Sequence, residues 1–441
     1  MRKVKVIQFS VVVLILAAVL AVSSIFASSP DRKKKDDLYK EVELFSDVVT
    51  IVQKDYVDEV DYKKLIYGAL GGMLSSLDPH SQFMDPEAYN ELKVETEGKF
   101  GGLGIEITVK DGLLTIVSPI EDTPAWKAGI KPGDIIVKID SVLTRDISLS
   151  EAVKKLRGKP GTEVALTVLR EKEKKILEFK ISRDMINIKD IKEPRILENN
   201  IGYVRIVEFR ENTADNLRKA LDELKKQGMD SLILDLRNNP GGLLDMAASA
   251  TEPFLAQGKV IVSTKGRKDN QNMEFVSRRD GAHMDIPMVV LVNEGSASGS
   301  EIVAGALQDY KRAIILGKKS FGKGSVQTVI PLVDGSALRL TTSKYFTPNG
   351  RSIHGQGIIP DIEVEDISLA DMAEMDKKDR MIEIFEDLEG KSQPPEAKPK
   401  AEDGQQKPQL KKPQDYKDDN QLMRAVDLLK AIKIYGKQLQ K

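Results

Sequence analysis

Apolar positions recur at spacings of three and four between Leu38 and Leu92, first at Leu44, Val48, Val49, Ile51 and Val52, then at Leu65, Ala69, Leu70 and Met73. This is the period of helices that bury one face, and it predicts a helical N-terminal arm over 37–95. The stretch Ser76-Leu77-Asp78-Pro79-His80-Ser81 interrupts it, because proline disfavours helix at the residue before it and Asp and Ser supply turn hydrogen bonds. His80 reads there as structural. From about Gly98 to Arg183 the texture changes to short β-rich runs, Leu113–Val117, Ile135–Ile139 and Val164–Leu169, around one helix. Ser148 and Glu151 form a capping box for that helix, Leu149, Ala152, Val153 and Leu156 make its apolar face, and Gly158 stops it. A small separate domain over 97–184 follows. Strands then alternate with helices: Ile201–Phe209, Thr213–Lys226, Ser231–Leu236, then Pro287–Asn293 and a helix beginning near Ser298. That pattern predicts a layered α/β core over 185–390. Residues 391–415 are a Pro/Lys/Gln-rich linker, too polar to bury anything, and Leu422, Ala425, Val426, Leu428, Leu429, Ile432 and Ile434 predict a docking C-terminal helix within 416–441. The whole is a multidomain α+β/α/β chain.

Composition narrows the chemistry. The 67 basic and 68 acidic residues cancel, so no global field gathers nucleic acid or anionic lipid. Cysteine is absent, which removes a thiol nucleophile, a thiolate metal site and any disulfide framework. The three histidines, His80, His283 and His354, are scattered singly and give no metal-binding spacing, so no metal is expected. At the amino end Arg2, Lys3 and Lys5 precede an apolar run from Val11 to Val22, the form of an export signal. Ile25 is a poor residue three before a cut and the run is nearly long enough to span a bilayer, so residues 1–27 read either as a cleaved signal peptide or as an anchor through residues 6–27. The expected location is a bacterial cell envelope or periplasm, with attachment to the inner membrane if the segment stays.

In the small domain, Phe100-Gly101-Gly102-Leu103-Gly104-Ile105 is a glycine-rich turn entering a strand, whose amides can converge on a carboxylate while the strand edge pairs with an extended peptide. The run from Pro124 to Ile136 resembles the second hallmark of PDZ domains, and the helix from Ser148 to Arg157 falls where their pocket wall lies. Phe100 and Ile105 with Val153 and Leu156 would line an apolar pocket suited to hydrophobic C-terminal side chains.

In the core, Asp235-Leu236-Arg237-Asn238-Asn239-Pro240-Gly241-Gly242 takes a buried strand into a turn whose amides can face a cleft. The segment Glu294-Gly295-Ser296-Ala297-Ser298-Gly299-Ser300-Glu301 places serines at a helix start, where free amides and the helix dipole favour an oxyanion. All three serines could equally cap the helix, and local physics does not choose a nucleophile among them. Lys323, in Gly317–Gln327 between apolar strands, is a candidate base, since burial would favour its neutral amine, and Gln327 could orient it.

DLRNNPGG, NEGSASGSE and SFGKGSVQ, in this order, resemble the carboxyl-terminal processing peptidases, or tail-specific proteases. The resemblance spans nearly the whole chain, including LDPHSQFMDPEAY in the arm, TPNGRSIHGQGIIPDIEV at Thr347–Val364 and the terminal DNQLMRAVDLLK. It implies Ser298 as nucleophile, Lys323 as base, Gln327 as the residue orienting the lysine, and Gly242 and Gly299 as oxyanion donors. Position 299 often carries Ala in the family and position 240 varies, but a backbone amide donates from Gly equally well. It further implies endoproteolysis near the carboxyl end of poorly folded polypeptides with apolar C-termini, and no cofactor. A PDZ domain formed around Gly102, Leu103, Gly104, Ile105, Val153 and Leu156 would capture that end and control access to the serine. An adaptor or lipoprotein partner and a homo-oligomer built through the arm and final helix are expected on the same ground.

Three other readings compete. Gly317 through Lys323 satisfies GxxxxGK, but Gly324 replaces the magnesium-holding hydroxyl of a phosphate loop. A triad using His283 or His354 is open to spacing arguments, because triads recur in many chain orders. An exported PDZ scaffold with an inactive core is the main alternative function.

Overall fold

The computed structural model describes residues 30–110, 112–145, 147–366 and 419–439. The amino-terminal segment at 1–27 and the linker at 391–415 lie outside them. Among the described residues no helix is long and apolar enough to cross a membrane. The chain divides into two units, one running to Asp85 and including Pro331–Arg339, the other made of Pro86–Ile330 and the chain from Leu340 onward.

In the first unit the arm is two helices, Pro30–Asp55 and Tyr62–Ser75, the second capped by Asp61, which accepts from the Lys63 amide at 2.9 Å. Asp78 builds the interrupting turn, taking the amides of His80 and Ser81 at 2.8 Å and the Ser81 hydroxyl at 2.7 Å. Periodicity did not show the strand Gln82–Met84, which pairs antiparallel with Ala337–Arg339. Residues read as core, Pro331–Arg339, therefore belong with the arm. Tyr67 packs edge-on against Phe83 and donates its hydroxyl to Asp334 at 2.7 Å.

The second unit begins with the helix Pro86–Glu97 and a two-stranded antiparallel ribbon, Lys99–Gly102 with Asp184–Asn187. Between the ribbon's strands lies the small domain. Its sheet carries Ile105–Lys110, Leu113–Pro119, Ile135–Ile139, Glu163–Arg170 and Lys175–Ser182 in that order. Alternation fills the core from one face: Leu114 and Ile116, then Val164, Leu166 and Val168, close over Ala152 and Leu156 of the helix Leu149–Leu156. Both halves of the predicted capping box are present, the Glu151 amide on Ser148 Oγ at 3.2 Å and the Ser148 amide on Glu151 Oε2 at 3.0 Å.

The layered core is a six-stranded sheet in the order Ile191–Ile196, Ile201–Ile206, Ser231–Asp235, Met288–Val292, Ile314–Gly317, Ile362–Glu363, all parallel except the first. Both faces are apolar because both are covered. Val204, Ile206, Leu232, Leu234, Val290 and Val292 point toward the helices Thr213–Lys226, Leu244–Thr251 and Gly299–Asp309. Ile201, Tyr203, Ile233, Val289 and Leu291 point the other way, onto Leu422, Ala425, Val426 and Leu429 of the C-terminal helix Asn420–Leu439. Three adjacent parallel strands, ending at Asp235, Val292 and Gly317, release their chains at the carboxyl edge, where open α/β sheets place their ligands.

Candidate active site

Those three chains carry the predicted residues. After Asp235 the chain enters the Leu236–Gly242 turn, after Val292 it reaches Ser298, and after Gly317 it reaches Lys323. The three candidate serines separate at once. Ser296 is fully buried and donates to the Leu236 carbonyl at 2.8 Å, and Ser300 is fully buried and donates to the Asn239 carbonyl at 2.9 Å. Both hydroxyls are spent holding the DLRNNPGG turn against the helix. Ser298 alone of the three is partly exposed, and it sits at φ 52°, ψ −112°, a conformation that costs a non-glycine residue of order 1–3 kcal/mol. Near it Tyr345 donates its hydroxyl to the Lys323 carbonyl, and burial pushes the Tyr345 phenol up, so it stays protonated.

Glu301 joins the serine turn to the lysine loop. It is fully buried, one turn into the Gly299–Asp309 helix, and its carboxylate takes four donors. The Ser298 amide at 2.9 Å and the Lys323 amide at 2.8 Å both reach Oε2, while the Gly322 amide at 2.7 Å and the Ser320 hydroxyl at 2.5 Å reach Oε1. Burial pushes this carboxyl up, and the bonds from Ser320, Gly322, Ser298 and Lys323 pull it only part of the way back. The backbones of Ser298 and Lys323 are thus fixed on one oxygen atom. Gln327 lies on the strand Ser325–Pro331, its amide nitrogen on Ser325 Oγ at 2.9 Å and Thr341 Oγ1 at 3.4 Å, which leaves its carbonyl oxygen as the acceptor for an amine.

The Leu236–Gly242 turn is set by Phe209 and Asn239. The Phe209 amide donates to the Gly241 carbonyl and the Leu243 amide to the Phe209 carbonyl, each at 2.7 Å. This parallel bridge turns the intervening Gly242 amide to the opposite side. Only glycine fits there: Gly242 has φ +127°, and a Cβ would stand 2.2 Å from the Phe209 carbonyl oxygen. At Gly241 a Cβ would meet that of Ser298 at 2.6 Å, so the turn lies directly against the serine. Gly299 is the first helical residue, with an amide that has no intrahelical acceptor, and it packs on Phe209 and Ala247. Asn239, fully buried, takes the Gly241 amide on Oδ1 at 2.9 Å and the Ala297 amide on its carbonyl at 3.0 Å, locking the glycine turn to the serine turn.

Asn239 and Glu301 stand in the motifs with no role of their own to be read there, and nothing local marks Tyr345. Glu301 carried the only local signal, an acid three residues into a helix after a serine, which reads as an ordinary capping box. The histidines stand apart. His283 is buried, which pushes its pKa down, and its amide bonds the Pro253 carbonyl; His354 is exposed, with its backbone packed on Gly324. Among the described hydrogen bonds none joins either imidazole to Ser298.

In the small domain Leu103 and Gly104 connect the strand that ends at Gly102 to the one that begins at Ile105, where the turn was predicted. Leu103 and Leu156 are core residues, 1% and 5% exposed, while Ile105 and Val153 are half-buried, Ile105 packing against that core. Phe100 lies over Gly102, with the Arg157 guanidinium 4.7 Å from its ring.

Comparison with known proteins agrees with this architecture. Residues 200–364 match the model of peptidase family S41, 115–170 that of the PDZ domain, and 17–88 that of the activating protease CtpB N-terminal domain. Over 345 residues the chain is 48% identical to a carboxy-terminal-processing protease of Bartonella bacilliformis, covering 77% of this chain and 79% of that one. Over 354 residues it is 36% identical to a probable CtpA-like serine protease of Staphylococcus epidermidis, covering 80% and 71%. Among solved structures, the photosystem II D1 C-terminal processing protease is similar at 30% identity and a TM-score of 0.44, over 73% of this chain and 92% of that one. Fold and relatives together define a PDZ-bearing serine-type peptidase. The chain belongs to the carboxy-terminal-processing proteases of peptidase family S41.

Proposed function

We propose that this chain is an exported endopeptidase that cuts polypeptides near their carboxyl end by a serine–lysine mechanism. The observation that carries the reading is the Glu301 carboxylate, which holds the amides of Ser298 and Lys323 on a single oxygen. In this mechanism the Lys323 amine, oriented by Gln327, takes the Ser298 proton as Oγ attacks the scissile carbonyl. The Gly242 and Gly299 amides receive the oxyanion, and the leaving amine takes the proton back from Lys323. Water, activated by the same lysine, then releases the acyl-enzyme. No step calls on a metal or cofactor.

The PDZ groove takes the substrate's apolar C-terminus and couples its capture to the serine. One route supports this coupling. Arg210 donates through Nε to the Glu95 carbonyl at 3.1 Å, and the Glu211 amide reaches the Thr96 carbonyl at 3.2 Å, at the end of the helix that leads into the PDZ ribbon. The next residue back, Phe209, sets the oxyanion turn. Arg210→Ala is therefore expected to shrink the rate advantage of a substrate with a free apolar C-terminus over its amidated form. The expected reduction is about threefold to tenfold, with cleavage of the amidated form unchanged. Equal loss on both substrates would place Arg210 in folding rather than coupling.

Export through residues 1–27, with residence in a bacterial envelope or periplasm, completes the reading. So do a membrane attachment if that segment is retained, an adaptor or lipoprotein partner, and self-association through the arm, whose helix Pro30–Asp55 exposes Leu38, Val42, Phe45, Val48 and Ile51. The direct test is digestion of an unfolded reporter ending in apolar residues by the chain and by its Ser298→Ala and Lys323→Ala forms. Cleavage lost in both supports the reading. Cleavage undiminished in either overturns it, and an inert parent chain favours the scaffold.

A further inference from the structure

Arg237 opens the turn that ends at Gly242, and its guanidinium is held from two sides. Asp235, fully buried, takes Nε at 3.0 Å and Nη2 at 2.7 Å, and Tyr203 donates its hydroxyl to the same carboxylate at 2.8 Å. From the other side Asp419 takes Nη1 at 2.9 Å and Nη2 at 2.7 Å as a bidentate pair, and Gln421 Oε1 accepts from Nη1 at 3.1 Å. Both partners belong to the start of the C-terminal helix, 182 and 184 residues away in sequence. Asp419 also caps that helix, accepting from the Leu422 amide at 3.0 Å, and buried Gln421 donates to the Val364 carbonyl at 2.8 Å.

The backbone around Arg237 is wired to the catalytic turns. Its own amide bonds Asp235 Oδ1 at 2.9 Å, the Leu236 carbonyl accepts from Ser296 at 2.8 Å, and the Asn238 amide bonds Asn293 at 2.8 Å. A displacement of the guanidinium therefore reaches both the oxyanion turn and the serine turn.

We propose that Asp419 and Gln421 are positioning residues for peptide-bond cleavage: docking of the C-terminal helix clamps Arg237 and so fixes the Gly242 amide where the oxyanion forms. This rests on the reading of Gly242 as an oxyanion donor. The helix Asn420–Leu439 is, on this view, a late-arriving part of the active site as well as cover for the sheet. Arg237 keeps its Asp235 partner whether or not the helix docks, so losing the clip loosens the turn without leaving an unpaired buried charge.

The test uses the full chain with Asp419→Ala, Gln421→Ala, Asp419→Glu and a control on the same helix, Lys433→Ala, which removes contacts to Asp230 and Asn199. Asp419→Ala is expected to lower kcat on the unfolded reporter by about tenfold to a hundredfold with KM held, and to slow labelling of Ser298 by a small fluorophosphonate similarly. Asp419→Glu restores part of the loss, and Lys433→Ala changes neither quantity. A folded Asp419→Ala chain with parental kcat overturns the inference, because a clip that only tethers the helix would lower thermal stability alone. If Asp419→Ala does not fold, Gln421→Ala decides by the same criteria, since it leaves the helix cap intact. Ser298→Ala run alongside separates the failures: activity surviving there sinks the serine mechanism itself, not the role of the clip.

Discussion

Lys323→Ala is expected to lower kcat on an unfolded apolar-ended reporter by about 10³–10⁴-fold while KM stays within about twofold, because a general base acts in the transition state and makes no ground-state substrate contact. On the proposed mechanism Ser298 depends on this amine: among the described hydrogen bonds none ties His283 or His354 to Ser298, and Glu301 is occupied by four donors. Lys323→Arg should fare no better, since a guanidinium cannot give up its proton at any working pH. Residual activity in both variants should match that of Ser298→Ala within an order of magnitude, as expected of groups that act as a unit. The measurement is steady-state kinetics on one reporter with all three variants, backed by thermal unfolding to show that they fold. A Lys323→Ala chain within tenfold of the parent would return the base role to a histidine or to solvent.

Much of this site was legible because it is written in local patterns. The run Pro287–Asn293 followed by NEGSASGSE reads as strand, turn and helix, and the structure places a strand at Met288–Val292 and a helix at Gly299–Asp309. The PDZ helix was bounded residue by residue because its cap, apolar face and stop all lie within one short stretch. What stayed hidden depends on contacts between distant segments. The strand Gln82–Met84 is too short to show a period, and its partner, Ala337–Arg339, lies far along the chain. Asn239 looked like one polar residue of a turn, yet it bonds the Ile206 carbonyl, the Gly241 amide and the Ala297 amide, which periodicity does not bring together. The family resemblance pointed to Ser298, while local physics left Ser296 and Ser300 open beside it, because the burial and backbone angles that set the three apart are not encoded in a run of alternating serines.

Glu301→Gln is the second large effect, and it separates activity from stability by their opposite dependence on pH. Burial raises the Glu301 carboxyl in the folded chain, so folding takes up a proton there. The sign follows: this group's contribution to stability is fully present below the ordinary carboxyl range and is lost as pH rises through the raised folded value. Activity runs the other way. Each carboxylate oxygen faces two donors, and a proton on either one evicts an amide or hydroxyl that fixes Ser298 or the Ser320–Lys323 loop. Over one pH window, beginning above the usual carboxylate range, kcat should therefore rise while thermal stability falls. Glutamine removes the titration but sets an NH2 group against N–H donors, leaving at least one buried amide unpaired at a cost of about 1–3 kcal/mol. The expected outcome is a folded chain whose kcat is down by about 10² or more at every pH, with its stability no longer falling across that window. A Glu301→Gln chain that keeps the parent's kcat would mean that Ser298 and Lys323 are aligned by their own loops, and that the shared carboxylate only holds the fold.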